Sequence, residues 1–151
     1  MKRLLLAVTT VAGLAVSLPA AAQFQKLEDA VKYRRSAMFV MANHFGRIGA
    51  MVNGRVPYDA ATAAANAEVV ATMSKLPFIG FVEGTATTEK GKASAKIWSD
   101  KSGFDAASRK MQDEVAKLTA ASKANNLDTL KAAFGDVGKS CKACHDEYWN
   151  P

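Results

Sequence analysis

The only two cysteines of the chain lie close together near its C-terminal end. The sequence ends in CKACHDEYWNP, so Cys141 and Cys144 are three positions apart and His145 directly follows the second cysteine. Closely spaced cysteines serve three chemistries: a redox dithiol, a zinc site and thioether attachment of haem. The surrounding sequence has to distinguish among them.

The segment that carries the cysteines has the periodicity of a helix. An NNLD stretch predicts its N-cap. After it, apolar positions recur every three or four residues, at Leu127, Leu130, Phe134, Val137, Cys141, Cys144 and Tyr148. Both sulfur atoms are therefore expected on the inward face of this helix, one turn apart.

The position of the cysteines favours haem. A thioredoxin-type dithiol lies at the start of a helix after a strand, where the helix dipole lowers a thiol pKa, whereas these cysteines lie near a helix end. Zinc needs about four ligands, and the chain offers Cys141, Cys144, His145 and a distant His44. Haem attachment uses every feature, since the cysteines reach two vinyl groups and the histidine reaches the iron. Covalent haem c is thus favoured over a zinc site, a redox dithiol and a structural disulfide.

The N-terminal residues have the pattern of a secretory signal. A basic KR pair precedes an apolar stretch at 4–18, and an A-x-A motif ends at Ala22. The apolar stretch is shorter than the roughly 20 residues of a membrane span. The sequence therefore predicts a cleaved signal peptide at 1–22, a mature domain at 23–151, no membrane association and export to the periplasm, where haem c is normally attached.

The composition of the mature chain limits the classes of partner that are expected. Its 129 residues suit a single domain with one core. It would carry 18 basic and 14 acidic side chains, a net charge of +4. The basic residues are scattered and are not interleaved with aromatic ones, which speaks against nucleic acid as a partner.

Three more helices are predicted before the cysteine helix. The first runs from about Leu27 to Met51, and the second runs from about Tyr58 to Leu76 and is followed by a loop at 80–96. The third begins between 99 and 102. The predicted inward residues of the second helix are Ala65, Val69, Thr72 or Met73, and Leu76, and those of the third are Phe104, Met111, Val115 and Leu118. This pattern predicts an all-α fold, an antiparallel four-helix bundle that holds haem c.

One charged residue interrupts the apolar face of the first helix. Arg34 lies between the core positions Val31 and Met38. A buried guanidinium needs a partner because it cannot lose its charge. A haem propionate has suitable geometry, so Arg34 is predicted to bind one; the alternative is that its side chain extends to the surface.

Several stretches of the chain resemble cytochrome c′, a family of class II c-type cytochromes. They are EDAVKYRRSAMFVMANHFGR, PYDAATAAAN, LPFIGF, IWSD and AAFGDVGKSCKACHDEYW, and they span nearly the whole mature chain. The resemblance implies a four-helix bundle, commonly a homodimer, with a buried haem c near the C-terminus. It also implies a five-coordinate iron that a histidine binds on one face and an apolar side chain crowds on the other.

The resemblance implies roles for individual residues. Cys141 and Cys144 would form the thioether bonds, His145 would bind the iron, and Arg34 would lie at the propionates. The other implied pocket residues are Arg35 and Glu89 at the propionates or haem edge, Met38 on the distal face, and Phe78 and Phe81 in the pocket wall. Trp149 departs from the family, in which many members carry Arg or Lys four residues after the histidine.

Two functions are compatible with these residues. The first is binding of small gases, chiefly NO and CO, at a five-coordinate haem, with a role in electron transfer or NO handling. The second is electron transfer by a low-spin haem with Met38 as the sixth ligand, as in relatives on the same bundle. The LPFIGF and FGDVGKSCKACH stretches are more similar to cytochrome c′ and favour the first. The electron donor or acceptor is not identified by the sequence.

Two further residues bear on function. No motif places a carboxylate or histidine pair for acid–base catalysis, and His44 is interpreted as a residue on the flank of the first helix, so an enzyme is not expected. Phe39 lies off the core pattern of the same helix. An exposed aromatic side chain can mark an interface, so Phe39 is predicted to lie in the homodimer contact that the resemblance implies; the alternative is a single surface phenylalanine without a partner chain.

Overall fold

The computed structural model of the protein describes residues 23–87 and 92–150. Within these ranges the chain forms four long helices and a single helical turn. Their bounds are α1 Leu27–Val52, α2 Ala60–Met73, α3 Lys96–Ser99, α4 Lys101–Ser122 and α5 Leu127–Tyr148. A 3-10 turn at Pro77–Gly80 follows α2. In the described part of the chain, the only β-type pairing is an isolated antiparallel bridge between Ala93 and Trp149.

The long helices form an antiparallel four-helix bundle, which confirms the predicted fold. Helix α1 packs against α2 and α5, and α4 packs against the same two helices. All four contribute to one core, whose buried members include Ile48 of α1, Val70 of α2, Leu118 of α4 and Leu130 of α5. Among the described residues, no helix combines the length and the apolar character that crossing a membrane requires.

Local sequence signals explain where three of the helices begin. Asp59 accepts a hydrogen bond from the amide of Thr62 at the start of α2, and Asn126 accepts one from Thr129 at the start of α5. Asp100 accepts a hydrogen bond from the amide of Gly103 at the start of α4. Such caps stabilise a helix because they satisfy amide groups that have no partner within it.

The inward face of α2 was predicted wrongly except for Met73, which packs against the main core. The buried residues of α2 are Ala63, Asn66, Ala67 and Val70. Ala65 and Thr72 are exposed instead, and Val69 is only half-buried. An alanine-rich helix has little amphipathic contrast, so packing against α1 and α4 decides which face is buried. The helix also ends at Met73, before the predicted end at Leu76.

The 3-10 turn approaches α1 closely. A Cβ atom on Gly80 would lie 2.7 Å from the carbonyl oxygen of Ala30 and 2.9 Å from the Cβ of Arg34. Only a residue without a side chain permits this contact. The glycine thereby brings the two phenylalanines of the LPFIGF stretch close to α1.

Candidate haem-binding site

The two cysteines lie on α5 as predicted, one turn apart and half-buried. Cys141 packs against the main core, and Cys144 packs against a second cluster formed by Ile97, Phe104 and Tyr148. Both are free thiols. Burial raises the pKa of both thiols, and Cys141 adds to the effect at Cys144. The environment therefore lacks the lowered pKa that a redox dithiol requires.

His145 lies beside the cysteines in the last turn of α5 and is largely on the surface. Its ring contacts Trp149, with 4.6 Å between the ring centroids and 60° between the planes. Partial burial lowers the pKa of His145, and the neighbouring Asp146 acts in the opposite direction. A lowered pKa favours the neutral imidazole, which is the form that binds metals.

Aromatic side chains line the region next to Cys144. The rings of Phe78 and Phe81 lie 5.8 Å and 4.9 Å from that of Phe104, in edge-on arrangements. Phe104 is 5.3 Å from Tyr148, also edge-on. Phe78 additionally packs against the main core. The structure thus brings the predicted pocket residues Phe78 and Phe81 into the cluster that contacts Cys144.

Arg34 is buried, with 5% of its surface exposed. Its Nη1 donates to the carbonyl oxygen of Gly80 at 2.9 Å and to Oγ1 of Thr85 at 2.5 Å, and its Nη2 donates to the carbonyl oxygen of Thr85 at 3.0 Å. The guanidinium also lies 4.7 Å from the centre of the Phe81 ring. The sequence did not reveal these partners. The alternative, in which the Arg34 side chain extends to the surface, is wrong, because the side chain is buried.

Burial lowers the pKa of Arg34, and the charge of Arg35 adds to the effect. The side chain nevertheless stays cationic at neutral pH, because an arginine cannot be deprotonated in proteins. Of its five N–H groups, three take part in the bonds to Gly80 and Thr85. Two remain for a further acceptor as far as the described residues show. Arg35, by contrast, is exposed.

Met38 lies one turn after Arg34 on α1 and is half-buried against the main core. Cys141 and Phe78 pack against the same core. Met38, which is predicted on the distal face, thus shares one apolar environment with Cys141. Glu89, predicted at the haem edge, and the signal peptide predicted at 1–22 lie outside the described residues.

The zinc alternative finds no geometric support in the described residues. They hold no group of three or more His, Cys, Asp and Glu side chains arranged to bind a metal ion. His44 instead pairs through Nδ1 with Oδ1 of Asn66, at 2.8 Å. Because Asn66 is on α2, His44 contributes to the contact between α1 and α2.

Residues 92–100 hold the end of α5 in a way that the sequence did not suggest. The amide of Ser94 donates to the carbonyl oxygen of Tyr148 at 3.0 Å. The amide of Asn150 donates to the carbonyl oxygen of Lys92 at 2.9 Å. The hydroxyl of Tyr148 donates to Oδ2 of Asp100 at 2.7 Å. Lys96 forms an ion pair with Glu147. The turn that carries His145 is therefore anchored to the start of α4.

The Tyr148–Asp100 bond predicts a pH-dependent contribution to stability. It raises the pKa of Tyr148 to about 12 and lowers that of Asp100. The contribution of Tyr148 to the free energy of unfolding is complete below the unfolded pKa of about 10 and is lost as the pH rises to about 12. The contribution of Asp100 to the free energy of unfolding is complete above an unfolded pKa of about 4 and is lost as the pH falls below it.

A Tyr148→Phe variant should therefore melt below the unsubstituted protein between about pH 5 and pH 10, with a gap that narrows toward both extremes. Parallel melts across the pH range measure this gap. A Tyr33→Phe variant is the control, since Tyr33 is half-buried and no hydrogen bond of its hydroxyl occurs in the described residues. A gap for Tyr148→Phe that does not vary with pH would contradict the prediction.

The residues around the cysteines fit a haem. A porphyrin is a flat apolar ring with two vinyl groups and two carboxylates. The chain provides two thiols on one helical face, an apolar surround of phenylalanines and methionine, and a buried cation with spare donors. A four-helix bundle with this CxxCH helix defines the class of c-type cytochromes built on helical bundles.

Comparison with known proteins identifies the family within that class. The family described as Cytochrome C' matches residues 29–149, so the chain belongs to the cytochrome c′ family. The chain is 55% identical to cytochrome c′ of Alcaligenes xylosoxydans xylosoxydans over 126 residues, which is 83% of this chain and 97% of that protein. The cofactor of this family is haem c.

Solved structures agree with this assignment. The crystal structure of cytochrome c′ from Rubrivivax gelatinosus superposes with a TM-score of 0.79 at 46% identity, covering 84% of this chain and 99% of that one. A nitric oxide complex of a mutant of cytochrome c prime from Alcaligenes xylosoxidans gives a TM-score of 0.78 at 53% identity, covering 85% and 98%.

Proposed function

We propose that this protein is a periplasmic mono-haem cytochrome that binds NO and CO at a five-coordinate haem. The observation that carries the proposal is the placement of Cys141, Cys144 and His145 close together on α5, beside a largely aromatic cluster. The nitric oxide complex of a relative that is 53% identical supports the gas-binding role. The role is binding, with electron transfer or NO handling as its use, rather than catalysis.

In this proposal each residue has a defined task. Cys141 and Cys144 hold the haem through thioether bonds, and His145 binds the iron. When bound, the haem would supply an iron that can take a small gas. Arg34 binds a propionate with the donors that its loop contacts leave free, and Phe78 and Phe81 exclude water from the pocket.

We assign Met38 a steric role on the distal face instead of a bond to iron. Its flexible, half-buried side chain packs with the core that also contacts Cys141. Such a side chain can move aside for a small ligand without opening the bundle. The family match supports this assignment over the low-spin carrier.

Export and assembly also belong to the proposal. The basic and apolar N-terminal residues followed by an A-x-A motif support cleavage after Ala22 and a periplasmic location.

Phe39 of α1 is 71% exposed, and such a large exposed aromatic residue supports a homodimer contact at this face. Sedimentation should show a dimer that a Phe39→Lys variant shifts to monomer. If the unsubstituted protein is a monomer at high concentration, the proposed homodimer is wrong.

Anaerobic titration of the reduced protein with NO tests the gas-binding function. We expect a saturable change of the haem absorption that ends at one NO per haem. A His145→Ala variant serves as the comparison, because it should lose the resting spectrum while the cysteines retain the haem. No spectral change of the unsubstituted protein at saturating NO would refute the function.

Arg34 provides a separate prediction. Arg34→Leu should leave haem attached but lower its reduction potential, because a nearby buried cation favours the more electron-rich ferrous state. Arg35→Leu is the matched control, since Arg35 is its exposed neighbour and solvent screens its charge. Potentiometric titration of both variants measures the effect. Equal shifts in the two variants would show that Arg34 is not near the haem.

A further inference from the structure

Trp149 is the aromatic neighbour of His145. The two rings are in edge-on contact, with 4.6 Å between their centroids. Trp149 is 44% exposed, so more than half of its surface is covered by the protein. A tryptophan next to an exposed histidine restricts the rotation of the imidazole about its Cβ–Cγ bond, because the rings cannot pass through each other.

Packing is the main restraint on the His145 ring in the described residues. Metal-binding histidines usually donate their second ring N–H to a carboxylate, a backbone carbonyl or water, and this bond fixes the ring. Within the described ranges, no hydrogen bond from the His145 ring to another residue occurs. Asp146 is adjacent in sequence, but its carboxylate pairs with Lys142.

Trp149 is itself held in place on both sides. Its amide donates to the carbonyl oxygen of His145 at 3.1 Å, and its extended backbone, with φ −115° and ψ 134°, pairs with Ala93. Tyr148, the residue before it, is buried and bonded to Asp100. The indole therefore has a fixed base, although it lies within three residues of the C-terminal end.

We propose that Trp149 is a positioning residue that sets the rotation of the His145 imidazole. The inference rests on the proposed role of His145 as the iron ligand. The orientation of an axial ligand and the groups that support it tune the metal. In this chain a packed indole would provide the support that a hydrogen bond provides elsewhere. Removing the indole should therefore alter the bond between histidine and iron without unfolding the bundle.

The test uses the reduced haem protein and two substitutions of Trp149. Trp149→Val removes the ring but keeps a residue that suits extended backbone, and Trp149→Phe restores a smaller ring. Resonance Raman spectroscopy reads the iron–histidine stretching band, and potentiometry reads the reduction potential. We expect a shifted or broadened band and a changed potential for the valine variant, with the phenylalanine variant closer to the unsubstituted protein. Circular dichroism of both should show an unchanged helix content.

Two controls separate the possible outcomes. Trp98 packs against the aromatic cluster but has no ring contact with His145, so Trp98→Val should leave the band in place. An unmoved band in Trp149→Val, or an equal shift in Trp98→Val, would overturn the positioning role alone. His145→Ala should abolish the band. Its persistence in that variant would refute His145 as the ligand, and the inference about Trp149 would fall with it.

Discussion

A Cys141→Ala, Cys144→Ala double variant is expected to purify without covalent haem and to lose most of its helix content and its cooperative melt. The two thiols are the chain's only cysteines, and both lie half-buried on the inward side of α5. Haem binds the folded state, so its loss removes a large contribution to stability. The helices around it carry many alanines, such as Ala63 and Ala67 of α2, which leave little apolar bulk to replace it.

The double variant needs a control on the same helix. Ser140→Ala suits this purpose, because Ser140 is buried beside Cys141 and its hydroxyl bonds only within the helix, to Val137. It should keep the haem and the melt. Acid–acetone extraction and mass spectrometry follow the cofactor, and circular dichroism follows the helices. Native helix content and a sharp melt in the haem-free double variant would show that the polypeptide core is sufficient by itself.

Met38→Ala is expected to have the largest effect on ligand binding. If Met38 crowds the distal face, a gas has to displace its side chain before it can bind. Truncation should then accelerate CO binding by about tenfold or more, equivalent to removing about 1.4 kcal/mol from the barrier. The resting ferrous haem should stay high-spin, because in the proposed site the methionine sulfur is not a ligand.

Met41→Ala provides the matched control for this substitution. Met41 lies almost one turn further along α1 and is 9% exposed in the main core. Its truncation should lower stability by about 2 to 5 kcal/mol but leave the CO binding rate almost unchanged. Flash photolysis measures the rates, and thermal melts measure the stability. A low-spin unsubstituted protein that becomes high-spin in Met38→Ala would show that the sulfur binds the iron.

The sequence predicted the elements with strong periodicity and missed contacts between distant segments. The inward residues Phe104, Met111, Val115 and Leu118 of α4 are all buried, because that helix alternates apolar and polar faces clearly. On α2 the alanines carry no such contrast, and the predicted face was wrong except at Met73.

The surroundings of the candidate site show the same limit. The motif CKACH predicted the attachment helix, and both cysteines lie on α5, because the spacing of such a motif is local. The bonds from Arg34 to Gly80 and Thr85, and from Tyr148 to Asp100, join residues 46 to 51 positions apart. No periodicity encodes such pairings, because they depend on how the connections fold over the helices. The contact between His145 and Trp149 is local by comparison, because the two residues are only four apart and the amide of Trp149 still bonds to the carbonyl oxygen of His145.

The absorption spectrum of the reduced protein, recorded with and without CO, tests the central claim most directly. A five-coordinate haem bound by His145 should give a broad high-spin ferrous spectrum, and CO should convert it fully to a sharp low-spin spectrum. The measurement needs no substitution and reads the free axial position itself. A sharp low-spin ferrous spectrum that CO leaves unchanged would contradict the account and assign the protein to electron transfer with a sixth ligand already in place.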